Sequence, residues 1–175
     1  AGGALSVTTN AGFGIDTTTN GGAALDLDNG AADTSITFTD NNSSIITGAS
    51  EGIDADNGGT GGMTITTTGT VTGTASDGIN AYACGFVSSP TYMTIDVANV
   101  TGGVDGIDAN NRGTGDLSVT VSGAVSGGTG YGIRTRTPTG NTTNITLNSG
   151  ASVTGGSGAI YNDGGNSTTI VNTGA

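Results

Sequence analysis

Apolar residues in this chain never run long. From Gly106 to Gly130 they fall in three short beats: Ile107, then Leu117, Val119 and Val121, then Val125, with Asn, Asp and Gly between them. No beat is long enough for a helix. The middle one alternates apolar with hydroxyl residues, the period of a strand with one buried face. The pattern then restarts at Gly132-Ile133. The same anchor stands at Gly52-Ile53, Gly78-Ile79, Gly106-Ile107 and, as Ala159-Ile160, near the end. The Ile-to-Ile spacings are 26, 28, 26 and 27 residues, and Leu25 lies 28 residues before Ile53. A unit of this kind cannot bury its apolar face alone, but it can bury it by stacking on its own copies. Short strands at a fixed period therefore predict an all-β parallel solenoid of about six coils of 26–28 residues.

Residues 1–175 read as one domain: irregular N-terminal coils over 1–50, regular repeats over 51–157 and an incomplete last coil over 158–175. The anchors predict a core column Leu25, Ile53, Ile79, Ile107, Ile133 and Ile160, with Phe13-Gly14-Ile15 as an echo of the anchor. A second column is expected to be Ile36, Met63, Met93, Leu117 and Ile145. Each buried Ile or Leu contributes about 1.5–3 kcal/mol, so Ile107→Asp is expected to unfold its neighbourhood. Glycine at each tight corner is expected to take positive φ. An insertion from Tyr82 to Tyr92 carries Pro90 in a loop, and a second loop surrounds Pro138. The last coil stops after Thr169-Ile170-Val171, so the chain is expected to continue into more protein or to stack on copies of itself.

Composition narrows the classes. Thirty-five glycines with two prolines and no G-X-Y period exclude collagen. The net charge is −11, with no Lys and three arginines, Arg112, Arg134 and Arg136, which argues against a nucleic-acid partner. No apolar run approaches 18 residues and no stretch is basic and amphipathic, so no insertion of this segment into a bilayer is expected. Cys84 stands alone and reads as an inert structural thiol. Ala1 is not an initiator Met and no signal peptide is visible, so the chain reads as a processed protein or a piece of a longer one.

Candidate chemistry is sparse. The outward residues of the middle beat form a hydroxyl ladder: Ser6/Thr8, Thr37/Thr39, Thr64/Thr66, Thr94/Asp96, Ser118/Thr120 and Thr146/Asn148. Such a ladder could order water, as in ice-binding solenoids, or could reflect the β propensity of Thr on a solvated face. Acidic residues flank the anchors: Glu51, Asp54, Asp56, Asp77, Asp105 and Asp108, preceded by Asp26 and Asp28. Stacking brings carboxylates about 4.8 Å apart, and calcium would relieve the repulsion. The calcium candidates are Asp54, Asp56, Asp77, Asp105 and Asp108. The alternative is a solvated edge of turn-capping side chains, and the nonapeptide of calcium-binding β-rolls is missing. No other cofactor is expected. Enzyme chemistry finds little support: Glu51 is the only Glu, His and Lys are absent, and Arg134 and Arg136 sit on a coil with few acids. The sequons at Asn41, Asn42, Asn141, Asn144 and Asn166 matter only in a eukaryotic secretory pathway.

The units EGIDADNGGTGGMTITTTGTVTG, DGIDANNRGTGDLSVTVSGAVSGG and YGIRTRTPTGNTTNITLNSGASVTGG resemble the glycine-rich passenger repeats of bacterial autotransporters (type V secretion) across nearly the whole chain. The resemblance implies a right-handed parallel β-helix on or released from a Gram-negative cell surface. It also implies adhesion, autoaggregation or biofilm formation through self-association or contact with neighbouring cell-surface molecules. A C-terminal region for an outer-membrane barrel and a serine protease domain are both missing from the sequence. Beside this non-enzymatic adhesive reading stands an extracellular filament built by end-to-end stacking.

Overall fold

The structure, a computed structural model, describes residues 3–10, 14–19, 21–30, 34–84 and 91–173. It is all-β, a parallel β-solenoid in which each coil contributes strands at up to three positions. The first position holds Leu5–Thr9, Ile36–Asp40, Met63–Gly73, Met93–Gly102, Leu117–Val121, Thr142–Leu147 and Ser167–Asn172. The two long strands, Met63–Gly73 and Met93–Gly102, run on into the second position, where Ile15–Asp16, Ile45–Gly48, Ala124–Gly127 and Ser152–Gly155 also lie. The third position is a separate six-stranded sheet: Leu25–Asn29, Ile53–Asn57, Ile79–Ala83, Ile107–Asn111, Tyr131–Thr137 and Gly158–Gly164. Every pairing is parallel, as stacking of repeats in register requires.

The anchor column is as the spacing predicts. Leu25, Ile53, Ile79, Ile107, Ile133 and Ile160 pair in sequence up the third sheet position, and Ile53 to Ile133 are fully buried. The second column needs one correction. It runs through Ile36, Met63, Met93 and Leu117 but continues to Thr143, while Ile145 belongs to the neighbouring column with Phe38, Ile65, Ile95 and Val119. A two-residue displacement preserves which side chains face inward, so alternation alone cannot detect it. Thr143 is fully buried and exchanges a 3.1 Å hydrogen bond with Thr137. Ile15 is likewise not an anchor, for it pairs with Ile46 in the second-position column that continues through Val71, Val100, Val125 and Val153. Phe13 and Pro90 lie outside the described residues.

Corner glycines also differ from the expectation. Gly48, Gly73, Gly102, Gly127 and Gly155 stack on one another where the chain leaves the second position, and none has positive φ. What they supply is space, since a Cβ at Gly102 would overlap the carbonyl of Asp105. The glycine before each anchor has the same reason: a Cβ at Gly106 would meet Val125 Cγ1 at 2.8 Å and the Gly132 carbonyl at 2.5 Å. The Gly-Ile pair thus joins a backbone contact between coils to a core side chain.

Candidate functional site

The corner between the second and third strand positions carries the densest charge. Asp77, Asp105 and Tyr131 occupy equivalent places on three successive coils, because the N–H groups of Gly78 and Gly106 donate to the carbonyls of Asp105 and Tyr131. Each acidic side chain reaches the coil above. Asp77 Oδ1 accepts from the Asp105 N–H at 2.9 Å, and Asp105 Oδ1 accepts from the Tyr131 N–H at 2.6 Å. Asp108 projects outward from the third position directly beneath Arg134. Arg134 donates to both Asp108 oxygens, at 3.3 Å from Nε and 2.6 Å from Nη2, and its Nη1 lies 3.1 Å from Asp105 Oδ2. That last contact is an ion pair without hydrogen-bond geometry, so Asp105 Oδ2 is buried with charge attraction alone.

One carboxylate oxygen from each of Asp77, Asp105 and Asp108 lies within 4.8 Å of the others. Burial above all pushes the Asp77 carboxyl up to about 6, opposed first by the Asp105 N–H, aided by the charges of Asp105 and Asp108, and opposed again by Arg134. Stacking therefore joins three of the five calcium candidates. A calcium ion takes six to eight oxygens, whereas here one oxygen each of Asp77 and Asp105 is committed to backbone N–H groups and Asp108 faces Arg134. The donor set fits a charge-paired corner clamp better than a calcium site, with the guanidinium supplying the positive charge.

Asp54 and Asp56 stand apart from the trio, directly above Asp26 and Asp28 on the third-position sheet. Asp54 accepts a 2.9 Å hydrogen bond from Asn80. Burial, followed by neighbouring acids, holds its carboxyl above the ordinary value, and burial with the Asp28 charge does the same for Asp56. The coil of Arg134 and Arg136, residues 131–157, carries no acid of its own. Their acids stand on adjacent coils, which linear neighbourhood does not display.

The hydroxyl ladder forms two continuous outward rows on the first position. One runs Ser6, Thr37, Thr64, Thr94, Ser118, Asn144, and the other Thr8, Thr39, Thr66, Asp96, Thr120, Thr146. Thr146 thus stacks on Thr120, and Asn148 is in neither row. From Thr37 to Thr146 the hydroxyls are half-buried and none makes a side-chain hydrogen bond to another described residue. Asp96 and Asn144 interrupt the rows with larger, differently shaped polar groups.

Three features escaped sequence reasoning. A third row of hydroxyls runs up the second position through Thr47, Thr72, Thr101, Ser126 and Thr154. Asp40 is not a surface turn residue. It is fully buried and accepts from Thr9 and Ser44 hydroxyls at 2.8 and 2.7 Å and from the N–H groups of Asn42, Ser44 and Gly69, each at 3.2 Å. Burial raises its pKa, but the hydrogen bonds from Ser44, Thr9 and the Asn42 and Ser44 amides outweigh it and hold the carboxyl below its usual value. Asn57 and Asn111 each bind the loop that follows: Oδ1 accepts from the N–H two residues on, and Nδ2 donates to the carbonyl four residues on. The shared N-x-G-x-G spelling at 57–61 and 111–115 is the signal that could have found this Asx turn. Asn141 of the sequons is buried and donates to the Gly113 and Gly115 carbonyls, so its amide is not presented at the surface.

Cys84 is partly buried and free. No helix among the described residues is long and apolar enough to cross a membrane. In comparisons with known proteins, no family model, curated protein or solved structure matches this chain.

Proposed function

We propose that this chain is a non-enzymatic, extracellular surface protein of the autotransporter-passenger kind, and that its lateral faces attach to copies of itself or to neighbouring cell-surface molecules through many weak hydrogen bonds. The observation that carries the reading is the pair of outward rows from Thr37 to Thr146, whose hydroxyls have no side-chain partner among the described residues. A row with a repeat of about 4.8 Å offers donors and acceptors at regular intervals, and each contact is individually weak because water competes for it. Their sum over several coils is an avidity effect.

The test displays the chain on non-aggregating bacterial cells and measures settling and attachment. Wild-type display should accelerate settling. A variant with Thr37, Thr64 and Thr94 changed to Val should lose that effect while keeping its melting temperature, because Val preserves strand propensity and shape without the hydroxyl. Wild-type cells that neither settle nor attach would reject the adhesive reading. Continuous fibres of purified protein in negative stain would move self-assembly by end-to-end stacking into first place.

A further inference from the structure

We infer that the open cleft between Arg112 and Arg136 is a binding subsite for the carboxylate of an acidic sugar. The inference rests on the adhesive reading above and assigns one chemical class to what the surface holds.

The cleft measures about 360 Å³, within the range of small-molecule sites. Its floor is built by stacking. Asn110 and Arg136, which line it, are register partners on successive coils of the third strand position, and Tyr82, outside the lining, is the partner of Asn110 on the coil below. Arg112 follows Asn110 by two residues and lies with its guanidinium carbon 5.4 Å from the Tyr82 ring centre. Both arginines line the cleft together with Asn110. Pro138 and Thr137 line the same cleft, with Asp163 at its edge.

Three observations point to a ligand. The first is Asn110, which is 9 % exposed, lines the cleft and makes no side-chain hydrogen bond to another described residue. Its amide atoms reach the solvent of the cleft, so they are free to bond a ligand that enters it. The second is Arg136, whose nearest acids, Asp108 and Asp163, are both 4.0 Å away, beyond hydrogen-bond distance. Its forked donors make no hydrogen bond to another described residue. The third is Arg112, whose guanidinium is exposed and has neither an ion pair nor a hydrogen bond among the described residues. In a chain of net charge −11, two of the three cations line one cleft, Arg112 with no acid beside it and Arg136 with its two acids held only at ion-pair distance.

The class of ligand follows from the donors. Paired guanidinium forks match a carboxylate. Asn110 and the exposed Thr139 offer the mixed donor and acceptor pattern that sugar hydroxyls need. Pro138 gives an apolar wall for the C–H face of a ring. Asp163 at the edge accepts from hydroxyl donors, and its negative charge opposes a second anionic group close by.

A titration with D-glucuronate, followed on the backbone amides and the arginine Nε–H signals by NMR, tests the inference on the intact chain. D-glucose and acetate serve as separate probes for the neutral ring and the bare carboxylate. Glucuronate should shift the signals of Asn110, Arg112 and Arg136 at concentrations where glucose and acetate do not. Arg112→Gln and Arg136→Gln should each weaken that binding by about tenfold, the loss of one charge-assisted hydrogen-bonded partner. Amide spectra that retain their dispersion establish that the variants fold. Equal response to acetate would reduce the cleft to a simple anion site and overturn the sugar assignment, as would equal response to glucose. No shift at millimolar glucuronate, or full binding by both variants, would overturn the site itself. The settling assay is read separately, so a silent cleft on adhesive cells and a binding cleft on non-adhesive cells are distinguishable.

Discussion

Arg134 is joined to Asp108 by two hydrogen bonds, at 3.3 and 2.6 Å, although the residues stand 26 positions apart in the chain. The same guanidinium lies 3.1 Å from Asp105, whose side chain is only 2 % exposed. One cation on one coil thus matches two acids on the coil below. Arg134→Gln leaves a buried carboxylate without a counter-charge, and the expected cost is about 2–3 kcal/mol. Because a solenoid's stability is a sum over neighbouring repeats, the loss should be local. Hydrogen exchange should accelerate first at the Gly106 and Tyr131 amides. Arg134→Lys restores charge without the two-pronged geometry and should recover only part of the loss.

Asp77 gives the corner a pH dependence of definite sign. Its carboxyl titrates at about 6 in the folded chain, above its ordinary value of 3.8. A raised folded pKa contributes stability that is complete below the unfolded value and is lost as pH rises through about 6. Asp77→Asn removes the unfavourable charge while keeping an oxygen for the Asp105 N–H. The variant should melt above the wild type at pH ~8 and converge with it near pH ~4. An advantage that stays constant across this range would contradict the assignment.

Asp40 should behave in the opposite sense. Its carboxyl is held below the ordinary value, so its contribution is present above the unfolded pKa and is lost as pH falls through the folded one. Asp40→Ala strands two hydroxyls and three N–H groups and is expected to cost about 3 kcal/mol or more in denaturant melts. Asp40→Asn should cost less and should flatten the acid limb of the stability profile.

Thr67, the residue paired with Asp40 on the next coil, has a buried hydroxyl with no hydrogen-bond partner among the described residues. Thr67→Val keeps its shape and removes the unsatisfied group. Thermal melts should show a gain of about 1 kcal/mol, and a loss would mean that the hydroxyl has a partner in solution.

Glycines of two kinds can be told apart by one substitution. Gly102 has ordinary φ but no room for a Cβ, while Gly150 has φ of +83° and open space around it. Gly102→Ala should cost up to about 3 kcal/mol through backbone overlap, and Gly150→Ala about 1–2 kcal/mol through conformational strain. Denaturant midpoints that rank them the other way would refute the space argument for the stacked glycine column.

Stacked coils and their anchor column were legible in the chain because spacing and alternation are one-dimensional properties. A strand with period-two alternation fixes which residues face inward, and a repeat of 26–28 residues fixes which of them meet. The sequence alone therefore determined the all-β parallel solenoid, the Leu25-to-Ile160 column and the outward hydroxyls. Register within a face was not determined, since shifting Ile145 by two residues keeps its inward direction and only backbone pairing decides that Thr143 takes the column. Charge pairing was likewise undecided. Arg134, Asp105, Asp108 and Asp77 become neighbours only when three coils are stacked, and the same stacking places Asn110 beneath Arg136 and closes the donors of Ser44, Thr9 and Gly69 around Asp40. Tertiary structure decided these because Coulomb and hydrogen-bond energies depend on distance through space and not on separation along the chain.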